Sequence, residues 1–215
     1  MAHAMPDARR LQTHPALIIP NDTAFNIMLK LERIINMGAR RLCLYHPEDP
    51  SKCVKVAMHY KNRWQLDNEL LGYKKTKDIL RDFLPEYEEE LVETNLGPGL
   101  VCELVRNDDG SIAAWLVDNL RSGHVSQEIV EQLRRYADIV ISNNIPLYDP
   151  NPCNFLIQKK DGKERVVFSD MKSYNDYKPW VYLHLEKVIP ALNRRILKRR
   201  LAKLFKRIDE VNNRK

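Results

Sequence analysis

Apolar and polar residues alternate one by one in stretches of the first half of the chain and recur at helical spacing in much of the second. From Met28 to Ile35 the pattern is a strand: Leu29 and Leu31 fall on one face, Lys30 and Glu32 on the other. Asn36-Met37-Gly38 then predicts a turn, because Asn and Gly both tolerate positive φ. Arg41–His46 predicts a second strand, His46-Pro47-Glu48-Asp49-Pro50 a loop, and Cys53–Tyr60 a third strand. Val54, Val56 and Met58 share one side of that third strand, and Lys55 interrupts the other. Trp64 to Phe83 reads as a helix, with Leu66, Leu70, Tyr73 and Lys77 at spacings of three and four. Glu88–Thr94 and Leu100–Val105 read as strands joined by Asn95-Leu96-Gly97-Pro98-Gly99, and Asn107-Asp108-Asp109-Gly110 is a turn signal. The first half is therefore a mostly antiparallel sheet with one helix inserted after the third strand.

The second half changes period. Ser126 suits an N-cap for a helix to about Asn143, buried along Ile129, Leu133, Tyr136, Ile139 and Val140. A polar, Pro-rich loop follows, Tyr148-Asp149-Pro150-Asn151-Pro152-Cys153-Asn154. Phe155–Gln158 and Arg165–Ser169 predict a hairpin around Lys159-Lys160-Asp161-Gly162-Lys163. A long helix over 180–211 closes the chain, with Pro190 expected to kink or split it.

Bulk properties narrow the class. Hydrophobic residues make up 44% and charged residues 30% of the 215, which suits a globular chain and not a disordered one. No stretch is apolar enough for a membrane span and the N-terminus lacks a secretory pattern, so the expected location is cytoplasmic, with peripheral attachment at the inner membrane as a variant. Cys43, Cys53, Cys102 and Cys153 form no CxxC pair, so neither a structural zinc site nor a disulfide framework is expected. A Cys43–Cys53 pairing across neighbouring strands is the minor alternative. The histidines have no metal-ligand spacing. The net charge of +6 is uneven: residues 187–207 contribute +9, leaving −3 for the rest.

Five residues carry candidate chemistry by type and order. Lys55 lies inside an apolar strand, where it either faces water or needs a partner, and Glu69 in the next helix is the candidate partner. Asp149 and Asn154 are five apart on a loop stiffened by Pro150 and Pro152, just before the apolar Phe155-Leu156-Ile157. Asp170 ends the hairpin. Each has a bland reading, as a surface lysine or a turn-forming Asp or Asn. Together and in this order they match the plan of a protein kinase. There, a strand Lys held by a helix Glu meets nucleotide phosphates, an Asp accepts the substrate hydroxyl proton, and Asn and Asp hold Mg²⁺.

The chain resembles the PhoP regulatory network protein YrbL family, whose members look like small kinase-fold proteins. The resemblance covers about residues 28–175 and rests on Arg41–Val56 (RLCLYHPEDPSKCVKV), Asn68-Glu69-Leu70-Leu71-Gly72-Tyr73, Pro85–Gly110, Pro152-Cys153-Asn154-Phe155-Leu156 and Phe168-Ser169-Asp170. In its catalytic loop the family is also similar to lipopolysaccharide-core and aminoglycoside-type kinases. The pattern departs in three places. Of a glycine-rich loop only Gly38 remains, with Asn36 where another glycine would sit. Leu147-Tyr148 precedes Asp149 in place of His and Arg. Met171-Lys172 follows Asp170 in place of Phe-Gly.

The resulting expectation is an α+β, two-lobed protein-kinase-like fold. An N-terminal extension (1–27) precedes an N-lobe of antiparallel sheet plus one helix (28–106). A reduced helical C-lobe follows (107–179), then a basic amphipathic C-terminal helix (180–215). The expected function is an ATP- and Mg²⁺-dependent phosphotransferase. Lys55, Glu69, Gly38 and Asn36 would serve the nucleotide, Asn154 and Asp170 the metal, and Asp149 would be catalytic on a hydroxyl-bearing acceptor such as a cell-envelope sugar or lipid head group. The alternative is a weakly active or inactive kinase-like regulatory or scaffolding protein that binds nucleotide or a partner. For the basic tail, one reading packs the stripe Leu197, Leu201, Leu204, Phe205 and Ile208 on the C-lobe with its charges in water. Another lays 187–207 on an anionic membrane surface, and nucleic acid is the weakest.

Overall fold

The computed structural model describes residues 28–146, 150–171 and 190–214. Five strands, β1 (Ile34–Met37), β2 (Arg41–Tyr45), β3 (Lys52–Ala57), β4 (Tyr87–Val92) and β5 (Gly99–Glu103), form one antiparallel sheet in the order β1-β2-β3-β5-β4. Helix α1 (Trp64–Thr76) is inserted between β3 and β4. Alternation within β3 sorts the two faces of this sheet. Val54 and Val56 join Leu44, Val101 and Leu31 in one buried cluster, while Cys53 joins Leu66 of α1, Tyr87, Leu100 and Cys102 in another. Lys55 points to the second face, the one packed by α1. It lies opposite Cys43 on β2 and Leu100 on β5, at the centre of the sheet and not at its edge.

The alternation at 28–35 is real but belongs mainly to a different contact. Leu31 is buried while Lys30 and Glu32 are exposed. Leu29 makes a parallel bridge to Thr94, and the Asn95 side chain bonds both backbone groups of Leu31. The hydrogen-bonded strand beside β2 is the shorter β1. Helix α1 stops at Thr76 instead of reaching Phe83. The Thr76 hydroxyl donates to the Gly72 carbonyl, and a short 3-10 turn takes up Arg81–Phe83.

A short strand, β6 (Ala114–Trp115), and helix α2 (Leu116–Arg121) follow the Asn107–Gly110 turn, and neither was expected. Two residues of strand carry no readable period. Helix α3 (Gln127–Ser142) starts as predicted, with the Ser126 hydroxyl accepting from Ile129 N at 3.2 Å. Strands β7 (Phe155–Lys160) and β8 (Lys163–Phe168) pair along their full length through a two-residue turn. Asp161 and Gly162 both take positive φ there, the geometry that matches strand twist. Helix α4 is described over Pro190–Asn212. The predicted portion before it, 180–189, lies outside the described residues. The second core joins α2, α3, β7, β8 and α4, centred on Tyr136, Phe83, Phe155 and Phe168 with ring centroids 5.0 to 5.4 Å apart. Leu197, Leu201, Leu204 and Ile208 of α4 are all buried in it, so the apolar stripe of the basic tail packs on the protein.

The chain thus has an α+β, two-lobed, protein-kinase-like fold: a five-stranded antiparallel sheet with one helix, then a compact helical lobe carrying a hairpin. All four cysteines are free thiols. Cys53 lies opposite Tyr45 and Cys102, not Cys43, with its sulfur 3.4 Å from that of Cys102.

Candidate functional site

Between the two lobes lies a cavity of about 1090 Å³. The Asn36–Arg41 turn, Lys55, the Glu103–Val105 connection, Asn154 and Asp170 all line it. Residues predicted from distant parts of the sequence therefore open onto one space. Each has a local reason to be there.

Lys55 is aimed inward by the pleat of β3, and its Nζ meets the Glu69 carboxylate. It also donates to the Tyr87 hydroxyl and to the Ser169 carbonyl, both at 2.9 Å. One ammonium thereby ties the sheet, α1 and the C-terminal half together. Glu69 is fully buried on α1. A buried carboxylate is tolerable only when paired and hydrogen-bonded. Here it receives Lys55, Arg41 and the Tyr87 hydroxyl, the last at 2.7 Å. Burial pushes the Tyr87 phenol well above its ordinary range, so it stays protonated and serves as a donor.

The C-terminal side is assembled by backbone bonds. Asn151 Oδ1 accepts from Cys153 N and starts the 3-10 turn Pro152–Asn154. The Asn154 carbonyl then accepts from Ser169 N at 2.9 Å and from the Ser169 hydroxyl at 3.2 Å. Ser169 is the residue whose own carbonyl holds Lys55, and Asp170 follows it. Helix α1 can approach this segment because position 72 is glycine. A Cβ there would lie 2.2 Å from the Met171 carbonyl oxygen. Glu69 and Gly72 are three apart, so one helical face delivers both the carboxylate and the close approach.

Arg41 was not singled out in the sequence. It is largely buried and bridges two carboxylates, Glu69 and Asp170, the latter at 3.4 Å. Parity is the signal that would have found it: Cys43 faces Lys55, and Arg41, two residues earlier on β2, shares its face. Tyr87, Ser169 and Gly72 were also unassigned. Gly38 and Asn36 lie on the β1–β2 turn, where Gly38 N donates to the Arg41 carbonyl at 2.9 Å and Asn36 Oδ1 accepts from Met37 N. Asp149, the predicted catalytic base, lies outside the described residues. Among the described residues no group of three or more His, Cys, Asp or Glu is arranged to hold a metal ion.

Comparison with known proteins agrees with the family resemblance. The chain is 27% identical over 150 residues to the YrbL proteins of Escherichia coli K12 and of Shigella flexneri, covering 65% of this chain and 70% of each relative. Among solved structures it is similar to the PknI kinase domain of Mycobacterium tuberculosis, at TM-score 0.42 and 15% identity. That match covers 67% of this chain and 60% of the PknI domain, so the chain spans less than two thirds of that neighbour. It is also similar to a GDP complex of aminoglycoside 2′-phosphotransferase IIIa, at TM-score 0.34 and 13% identity over 86% of this chain and 90% of the other. The model of the family described as PhoP regulatory network protein YrbL matches residues 27–209, and the chain belongs to that family.

Proposed function

We propose that the cleft binds the phosphates of a nucleoside triphosphate and passes the terminal phosphoryl group to a hydroxyl acceptor. The observation that carries this reading is Lys55, held by the buried Glu69, lining the same cavity as Asn154 and Asp170. A cation clamped in this way is oriented in advance and stabilises charge on a phosphoryl group without reorganising. The apolar wall formed by Leu104, Val105, Ala113 and Leu156 suits a purine ring beside those phosphates. Asp149, five residues before Asn154, is the proposed base for the acceptor hydroxyl. A cell-envelope sugar or lipid head group is the proposed acceptor class.

The test has two stages. ATP at about a hundred times its Kd stabilises the folded chain by about 2.7 kcal/mol, a shift of several degrees in Tm. Incubation with labelled ATP and an extract of envelope saccharides and lipids then yields a labelled product that Asp149→Ala does not form. No thermal shift with ATP contradicts the reading at its base.

A second reading is a regulatory module of the PhoP network that binds nucleotide, or a partner, without turnover. The Arg41–Asp170 pair favours it, because a carboxylate that a kinase leaves for metal is here engaged by a guanidinium. Binding of ATP without any labelled product would select this reading.

A further inference from the structure

The cleft contains a charge arrangement that a metal-dependent site does not require. Lys55 and Arg41 face Glu69 and Asp170, two cations against two carboxylates, with Arg41 touching both. Among the described residues the charges of these four groups cancel. A divalent cation placed at Asp170 would meet a carboxylate already held by a guanidinium, and would sit beside that guanidinium's charge. As arranged, Asn154 and Asp170 do not form a fitting site for a resident Mg²⁺. Arg41 also lies at the foot of the β1–β2 turn, with its carbonyl bonded to Gly38 N, and Arg40 of that turn lines the same cavity. A ligand under the turn thus meets Arg40, Arg41 and Lys55 together.

The geometry points to Arg41 as the built-in substitute for the divalent cation: the cleft binds an anionic polyphosphate ligand, such as ATP or ADP, without requiring Mg²⁺. This rests on the nucleotide reading above and sharpens it. A guanidinium suits the task, since it stays charged and presents several donors in a fixed plane to phosphate oxygens. Removing its charge leaves Glu69 and Asp170 against Lys55 alone. That net negative centre repels phosphate until an added cation restores balance.

Calorimetric titration with ATP, in EDTA and then in excess Mg²⁺, tests this. Wild-type protein binds with Kd values agreeing within about three-fold in the two buffers, and Arg41→Gln binds at least about ten-fold weaker in EDTA and regains affinity with Mg²⁺. If Arg41→Gln does not fold, Asp170→Asn serves in its place. It keeps or tightens ATP binding in EDTA, because Arg41 and Lys55 remain and a negative charge is gone. Wild-type binding that appears only with Mg²⁺ overturns the inference while leaving the nucleotide reading intact. So does Arg41→Gln that binds as well as wild type in EDTA, or Asp170→Asn that loses binding in both buffers. Wild type that binds in neither buffer overturns both.

Discussion

Positive charge is concentrated in two regions of the molecule that work in opposite ways. In the cleft, the Lys55 and Arg41 side chains are only 14% and 17% exposed, and both meet the fully buried Glu69. On α4, Arg194, Arg195, Lys198, Arg199, Lys203, Lys206 and Arg207 stand exposed on the outer face, while Leu197, Leu201, Leu204 and Ile208 hold the inner face to the core. The second region carries eight basic and two acidic residues, a net charge equal to the +6 of the whole sequence, yet it includes pairing of the weak surface kind, as between Lys206 and Glu210 at 3.7 Å. Burial decides which charges can orient a ligand. The cleft cations are held by removal from water, and the α4 cations only raise the local potential.

Four substitutions sharpen or break that contrast. Glu69→Gln leaves Lys55 and Arg41 facing each other without their shared carboxylate, and should cost about 3–5 kcal/mol in a denaturant titration. Leu201→Ala, on the buried face of α4, should cost about 2–5 kcal/mol by the same measurement. A much smaller loss would mean that α4 is not part of the core. Gly72→Ala forces a methyl group into the Met171 carbonyl and should cost about 1–3 kcal/mol. It should also weaken ATP binding, because the displaced segment carries Ser169, whose carbonyl holds Lys55; unchanged binding would separate α1 from the site. Lys198→Ala, on the exposed face, should change stability by less than about 0.5 kcal/mol. Any binding of the α4 face to anionic lipid vesicles should be electrostatic and disappear as salt is raised, since its apolar stripe is not available for insertion.

Much of the site could be read from residue types in order. Lys55 broke an apolar strand, Glu69 lay mid-helix, and Asn154 and Asp170 flanked a hairpin whose turn residues were plain. The parts that escaped are those whose role depends on contact across the fold. Arg41 begins a strand beside a turn, where an arginine ordinarily faces water, and only the register with β3 turns it inward. Tyr87 sits just before the predicted fourth strand, so its place beside Lys55 appears only once β4 pairs with β5. Gly72 looks like a mild flaw in a helix until Met171 is seen against it. The strand pattern at 28–35 was legible, but its partner, Thr94, is far off in sequence and could not be.

The account stands on Lys55 holding phosphate while Glu69 holds Lys55. Calorimetric titration of ATP into wild type and Lys55→Met, in the same buffer, tests this most directly. The account predicts clear binding by wild type and a loss of at least about ten-fold in Lys55→Met, with the variant still folded. Equal affinity in the two proteins would contradict it.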